Sequence, residues 1–247
     1  MANLYKNKVV YGGNTLIDLS GDTVTAATLL EGYTAHDASG APIIGTASSG
    51  GGEWTTDGIA AGTEPNGAIT ISVTRIASYA FAYMGSITEV SAPNVTATSS
   101  RAFLNCSGLR KISFPSMITS YTSQPNMFQN CSALTDVYVP VLPYVSLSMF
   151  AGCTSLEMID LPAVTSIAAS AFNGSTKIST IVLRSNSVAT LQNINAFTDT
   201  PFASGKAGGT LYVPSALIAS YQAATNWSTI LGYSTNSIVA IEGSEYE

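Results

Sequence analysis

The chain has 247 residues, of which only 10% are charged, and its formal net charge is −6. Lys and Arg form no cluster, so the sequence argues against a nucleic-acid partner, because phosphate binding needs a basic stripe. No apolar run reaches the ~18 residues that a membrane span needs, so no span is predicted.

The first 47 residues do not repeat and are predicted to form a small β-rich module. Two hairpins are predicted, one from residues 8–11 and 15–19 and one from residues 33–37 and 41–46. A short helix is predicted between them over residues 26–31, with Thr25 as its N-cap and Gly32 closing it. Such a module is too small to be stable alone, so we expect it to oligomerise or to dock on a larger body.

Residues 48–66 are predicted to be a linker and lead-in. The run over residues 48–52 consists of serine and glycine alone, which is the composition of a flexible linker. A turn is predicted at residues 64–67, and residues 68–72 are the first predicted strand of the region that follows.

Residues 67–209 are built from repeats whose landmarks are spaced 22 or 25 residues apart. Phenylalanine recurs at Phe81, Phe103, Phe128, Phe150, Phe172 and Phe197. In the same register follow Pro93, Pro115, Pro140 and Pro162, and the cysteines Cys106, Cys131 and Cys153. Several independent landmarks that keep one period are typical of a solenoid.

Each unit contains a short run, such as Ile112–Ser113–Phe114, in which apolar positions alternate with small or polar ones. This alternation predicts a strand with one buried face. The proline that follows ends the strand because it cannot donate a hydrogen bond to a ladder. Each unit is thus predicted to be one short strand, a turn at proline and a returning segment that carries the phenylalanine. Stacked units would bury one another's apolar sides in a continuous core.

The unit Ala/Met-Phe-x-x-Cys-x-x-Leu-x-x-Ile-x-Leu-Pro resembles the BspA-like (treponemal-type) leucine-rich repeats, over about residues 67–231. Met84 and Ser175 depart from this pattern by replacing the cysteine, and insertions lie near residues 121–125 and 188–195. The resemblance implies a repeat solenoid, mainly β with short helical or irregular returns. It also implies adhesion, because members of this family are associated with binding to host matrix proteins.

From residue 210 the chain is predicted to cap the last repeat. After a strand over residues 210–214, Ser215 is the predicted N-cap of a helix over residues 216–225. The pattern Tyr-Val-Pro-x-x-Leu-x-x-x-Tyr…Trp is similar to the usual C-terminal closure of the same repeat family. An edge strand is predicted over residues 237–241, and the acidic residues after it would discourage pairing of that edge. The predicted domains are residues 1–47 (attachment or oligomerisation module), 48–66 (linker and lead-in), 67–209 (repeats) and 210–247 (cap).

The sequence offers little for catalysis, so no enzyme activity and no catalytic, cofactor-binding or metal-binding residues are predicted. His36 is the only histidine, which leaves no Cys–His nucleophile pair and no three-histidine metal site. The three cysteines keep the repeat register and are odd in number, so buried free thiols are predicted instead of a disulfide. Asp136, Glu157 and Asp160 leave one alternative open, because glycosidases use a pair of closely spaced carboxylates.

The predicted functional feature is a surface. Strand positions that alternate with buried ones should line one side of the solenoid, and such surfaces commonly bind partners. The candidate binding face consists of Glu89, Lys111, Asp136, Tyr138, Met158 and Asp160. Tyr138 is its predicted contact centre, because aromatic residues dominate binding hot spots. The plain alternative is that these are ordinary solvated strand positions.

The run from Val24 to Thr46 resembles a short module of tail and fibre proteins in phages and prophages of gut bacteria. This resemblance implies a non-enzymatic, tail-associated host-recognition protein. Residues 1–47 would bind virion proteins or form a homo-oligomer, a trimer by analogy. The repeats would present their face to a host cell-surface protein or glycan. The N-terminal residues lack the apolar core of a secretory signal, which fits assembly in a virion.

Two alternatives stay open. A bacterial cell-surface BspA-like adhesin that binds host matrix proteins would share the fold, with its export signal absent from this sequence. A structural spacer without a ligand of its own would share the fold as well. The predicted location is accordingly a virion tail or the extracellular cell surface.

Overall fold

Short alternating apolar runs, closed by proline or by turn residues, give the described part of this chain many short strands and little helix. The structure, a computed structural model, describes residues 67–118 and 125–247 in full, and before residue 67 it describes the backbone of the strands alone. Two compact units are present, Met1–Gly51 and Gly52–Glu247. The strands of the first unit are β1 (Lys8–Tyr11), β2 (Asn14–Asp18), β3 (Thr34–His36) and β4 (Pro42–Ile44).

The first unit contains two hairpins. β1 pairs antiparallel with β2, and β3 pairs antiparallel with β4. Both hairpins predicted from the sequence are therefore confirmed. The predicted helix over residues 26–31 lies outside the described residues, and the limits of the predicted 1–47 module stay a prediction.

The second unit is a solenoid in which parallel strands stack on two sides. On one side β6, β8, β10 and β11 form a parallel sheet, which is followed by a second parallel sheet of β13, β15, β17 and β18; we call this side the strand face. On another side lie the short sheets β5–β7–β9 and β12–β14–β16. The strands are β5 (Glu53–Trp54), β6 (Gly67–Thr70), β7 (Arg75–Ile76), β8 (Ile87–Ser91), β9 (Ala97–Thr98), β10 (Lys111–Ser113), β11 (Asp136–Tyr138), β12 (Tyr144–Val145), β13 (Met158–Asp160), β14 (Ser166–Ile167), β15 (Thr180–Val182), β16 (Thr190–Leu191), β17 (Thr210–Val213) and β18 (Ser237–Ala240).

The alternation in each repeat decides which side chains enter the core. In β10 the central Ile112 is fully buried, while Lys111 before it is exposed. The fold predicted from the sequence is confirmed, with one refinement in the return. The returning segment contains a two-residue strand before its turn, as in β14, where Ile167 is buried. Because returns of successive repeats stack, this pairing satisfies backbone groups that an irregular segment would leave to water.

The third side of the solenoid is a stack of turns that carry the repeated phenylalanines; we call it the turn column. Neighbouring rings stack nearly parallel, with centroids 5.0 to 5.8 Å apart and interplanar angles of 4° to 16°. These distances are typical of offset stacking, in which each ring is displaced sideways from its neighbour. The ring stack is therefore the central column of the continuous core that the stacked repeats predict.

The backbone of the turn column is hydrogen-bonded from repeat to repeat. The N–H of Phe128, for example, donates to the carbonyl of Met149 in the next repeat at 2.9 Å. The last turn of the column is tightened into a 3-10 helix, Ile194–Phe197, with Asn193 as its N-cap. A 3-10 helix bonds its N–H groups within itself, so the last turn depends less on a further repeat.

The cysteine position of the repeat places a hydrogen-bond donor inside the core. The thiols of Cys106, Cys131 and Cys153 are buried and free, as predicted. Each lies 3.0 to 3.3 Å from the carbonyl oxygen of the phenylalanine in the preceding repeat. Ser175 occupies the same position in the next repeat, and its hydroxyl donates to the Phe150 carbonyl at 2.7 Å. In these four repeats the position therefore holds a small donor, sulfur or oxygen, whereas Met84 takes it in the first repeat.

Replacing Cys153 by serine should change the free energy of unfolding at pH 7 by less than about 1 kcal/mol, because the donor is kept, whereas alanine should cost about 1–3 kcal/mol.

Burial raises the pKa of the Cys153 thiol to about 12. An unfolded thiol ionises near pH ~8.5, so the folded state loses stability as the pH rises from there towards 12. Between pH 7 and 10, urea unfolding should show the wild type losing about 2 kcal/mol more than Cys153→Ser. Equal losses in both proteins would contradict this assignment.

The C-terminal cap consists of three short helical segments, which are a 3-10 helix over Ser215–Leu217, α1 (Ile218–Ala223) and α2 (Trp227–Leu231). The helix predicted over residues 216–225 is confirmed as the short run over residues 215–223, but the prediction that Ser215 is its N-cap is wrong. Pro214 holds the N-cap position, and the backbone N–H of Ser215 donates to a carboxylate oxygen of Glu242 at 2.9 Å. The proline fixes the entry into the first turn, so Ser215 falls inside that turn.

Side chains of the cap close the outer edge of β16. The hydroxyl of Tyr221 accepts the N–H of Ala189 at 2.9 Å, and the indole N–H of Trp227 donates to the carbonyl of Ala189 at 2.6 Å. Asn226 donates to the carbonyl of Leu191 at 2.7 Å. These groups stand where the backbone of a further repeat would lie. On the strand face, β18 extends the sheet beside β17, which confirms the predicted edge strand.

Candidate functional site

Three charged side chains stand in one row on the strand face. Lys111 on β10 is in register with Glu89 on β8 and with Asp136 on β11. All three residues are exposed. Because neighbouring strands lie about 4.8 Å apart, charges of opposite sign alternate along this row at close spacing. The structure therefore brings together three of the residues that the sequence predicts for the binding face.

A second row runs parallel to the first, two residues further along each strand. Thr70 on β6 pairs in register with Ser91, Ser91 with Ser113, and Ser113 with Tyr138. The second row thus consists of three hydroxyl side chains followed by one aromatic ring. The Tyr138 residue is 56% exposed, which is high for an aromatic residue in a strand.

The two rows border a shallow groove of about 340 Å³ on β6, β8 and β10. It is lined by Ala68, Ile69, Thr70, Glu89, Val90, Ser91, Lys111 and Ser113. Thr70, Ser91 and Ser113 provide its hydroxyl groups, while Glu89 and Lys111 provide its charges. Tyr138 lies one strand beyond the groove, next to Ser113.

Met158 and Asp160, the remaining predicted site residues, belong to β13 in the second sheet of the strand face. Met158 is 41% exposed. Asp160 is half-buried and paired with Arg184, whose Nε lies 3.1 and 2.9 Å from the two carboxylate oxygens. Arg184 was not predicted, although it stands in the slot where four preceding repeats have proline. This departure from the proline pattern was the sequence feature that could have identified Arg184.

Two of the three carboxylates named in the glycosidase alternative are paired with basic side chains. Arg184 occupies both oxygens of Asp160, and Glu157 lies 3.7 Å from the ammonium group of Lys177 on an exposed surface. Among the described residues, no group of three or more His, Cys, Asp or Glu side chains is placed to hold a metal ion. Nor does the described part of the chain include a helix that is long and apolar enough to cross a membrane.

The comparisons with known proteins concern the repeats. Residues 66–179 match the family model of the BspA type leucine rich repeat region, in six copies. A search of curated proteins finds no match. Among solved structures, a leucine-rich repeat protein from Bacteroides ovatus ATCC 8483 is similar, with 23% identity and a TM-score of 0.53; the match covers 71% of this chain and 42% of that one.

A leucine rich cell surface protein from Faecalibacterium prausnitzii A2-165 is a second solved structure found, with 20% identity and a TM-score of 0.35; the match covers 86% of this chain and 38% of that one. The chain thus spans about two-fifths of the length of the structures it matches. The identity to the Bacteroides ovatus structure supports the fold alone. The family model, the repeat register and the parallel stacking agree on a leucine-rich repeat solenoid, in which residues 66–179 match the BspA type.

Proposed function

We propose that this chain is a non-enzymatic binding protein that recognises its partner through the strand face. The observation that carries the proposal is the charged row Glu89–Lys111–Asp136 beside the exposed ring of Tyr138. These side chains stand on paired strands backed by a packed core, so a partner would meet a pre-organised surface. Binding and adhesion also suit the repeat type that the comparisons identify.

Replacing Tyr138 by alanine should weaken binding to the partner at least about tenfold, because a central exposed aromatic residue is a typical hot spot. The test is binding of the labelled full chain to immobilised matrix proteins, mucin and bacterial envelopes. Tyr83→Asn is the matched control, since Tyr83 is an exposed tyrosine on the turn column, and Asn105 and Asn130 take the equivalent position with the same backbone conformation. Equal loss in both variants, or no loss in Tyr138→Ala, would contradict the proposal.

The narrower proposal is attachment to a phage or prophage tail through residues 1–47, with host recognition by the repeats. It rests on the sequence resemblance of that segment, and a trimeric assembly rests on the same analogy. Light scattering of the full chain, whose mass is 25.5 kDa, tests the assembly. A defined trimer would favour the tail proposal, whereas a monomer would favour a cell-surface adhesin that binds host matrix proteins.

A further inference from the structure

We propose that the strand face binds a neutral, extended glycan that lies across the strands from Thr70 to Tyr138. The inference rests on the proposed function and deepens it by naming the class of ligand. Three features of the surface carry it, and each constrains the ligand in a different way. They are the hydroxyl row, the alternating charges and the exposed ring.

The hydroxyl row fixes a repeat distance. Thr70, Ser91 and Ser113 are in register on neighbouring parallel strands, so their hydroxyls recur at about 4.8 Å. This distance is close to the length of one sugar residue in an extended glycan chain. Each hydroxyl both donates and accepts hydrogen bonds, as do the hydroxyls of a sugar. Successive sugar residues would therefore meet the same type of partner on successive strands.

The alternating charges argue against a charged polymer. Glu89, Lys111 and Asp136 follow one another across the strands with opposite signs. A polyanion would be attracted by Lys111 and repelled by both carboxylates. A polycation would be repelled by Lys111 and attracted by both carboxylates. A chain of neutral hydroxyl groups has no such conflict, because it can donate to the carboxylates and accept from the ammonium group.

The exposed ring of Tyr138, one strand beyond the groove, gives the hydroxyl row an apolar end. The ring offers a flat apolar face with a polar hydroxyl at its edge. The C–H face of a sugar ring is similarly flat and apolar, with hydroxyls at its rim, so the two can stack. Because Tyr138 continues the hydroxyl row, one glycan chain can bond to the row and stack on the ring at its end.

A protein partner fits this part of the surface less well. Stable protein interfaces bury about 800 Å² on each partner around a core depleted of charge. The groove instead has hydroxyls and charges along its length, and the exposed ring of Tyr138 lies one strand beyond it. A narrow polar chain matches that distribution better than a broad apolar patch does.

The test is isothermal titration of the full chain with linear gluco-, manno-, galacto- and xylo-oligosaccharides, from disaccharides to hexasaccharides. A heparin tetrasaccharide is the charged comparison. We expect one of the neutral series to bind, with affinity that rises up to about the length of the row and then levels off. Between about 50 and 500 mM NaCl the affinity should change less than about twofold, because no net charge is neutralised.

Two variants locate the site. Tyr138→Ala should weaken neutral oligosaccharide binding at least about tenfold and Ser113→Ala a few-fold, while the control Tyr83→Asn should leave it unchanged. Circular dichroism of each variant shows whether the fold is intact. Preference for heparin, with loss of binding at high salt, would overturn the inference.

The outcome for the glycan and the outcome for the proposed function are separable. If no neutral series binds, but cells or matrix proteins bind through Tyr138 and protease treatment abolishes that binding, the ligand is a protein. The glycan inference then fails while the proposed function stands. If Tyr138→Ala changes no binding of any kind, the strand face is not the binding surface and both proposals fail.

Discussion

Substituting alanine for Phe128 is expected to lower the free energy of unfolding by about 3–5 kcal/mol. The ring of Phe128 is fully buried in the middle of the ring stack. Its centroid lies 5.4 Å from that of Phe103 and 5.6 Å from that of Phe150, and Phe114 contacts it edge-on at 5.8 Å. Backbone hydrogen bonds hold the neighbouring turns in place, so they cannot collapse into the cavity, and the contacts on three sides are lost.

Urea unfolding followed by circular dichroism measures this loss. Phe128→Leu is the matched control, because it keeps most of the apolar volume and should cost less than half as much as alanine. A loss below about 1 kcal/mol for Phe128→Ala would mean that the stack contributes little and that the strand ladders hold the repeats together. In a solenoid each repeat contacts only its neighbours, so a central defect is also expected to broaden the transition.

That the phenylalanines come together in the core was predictable, because the residue recurs at the same position in every repeat. Phe, Pro and Cys keep one period along the chain, and any structure that superposes one landmark from repeat to repeat superposes the others. The same regularity placed Glu89, Lys111 and Asp136 in one exposed row, since equivalent positions on stacked strands are neighbours. The repeat pattern does not indicate which ligand these residues bind, so the binding face stays a prediction.

Features that break the repeat could not be predicted from it. The two-residue strands of the returns are too short to show an alternating pattern in the sequence. They become recognisable only in the structure, where the returns of successive repeats pair. The pair Asp160–Arg184 joins residues from two repeats, and Arg184 stands where earlier repeats have proline. In the cap, the contacts of Tyr221 and Trp227 with Ala189 join residues more than thirty positions apart. No local pattern specifies such contacts.

Trp227 packs beside β16, the last two-residue strand of the returns. Replacing Trp227 by alanine is expected to lower the free energy of unfolding by about 3–5 kcal/mol. The side chain is fully buried, and its centroid lies 5.6 Å from that of Tyr221 and 6.0 Å from that of Phe197. Its indole N–H also donates to the carbonyl of Ala189. Alanine would open a cavity beneath the end of the ring stack and leave a buried carbonyl without its donor, which is itself unfavourable.

Trp227→Phe separates the two contributions, because it keeps a ring in the core and removes only the N–H. It should cost about 1–3 kcal/mol, the usual penalty for a buried carbonyl without its donor. Hydrogen exchange then shows where the stability is lost. Since interactions in a solenoid pass only between neighbouring repeats, protection in Trp227→Ala should fall first in β16 and β17 and persist in β8 and β10. A uniform fall from β8 to β17 would instead mean that the repeats unfold as one unit, with the cap stabilising all of them equally.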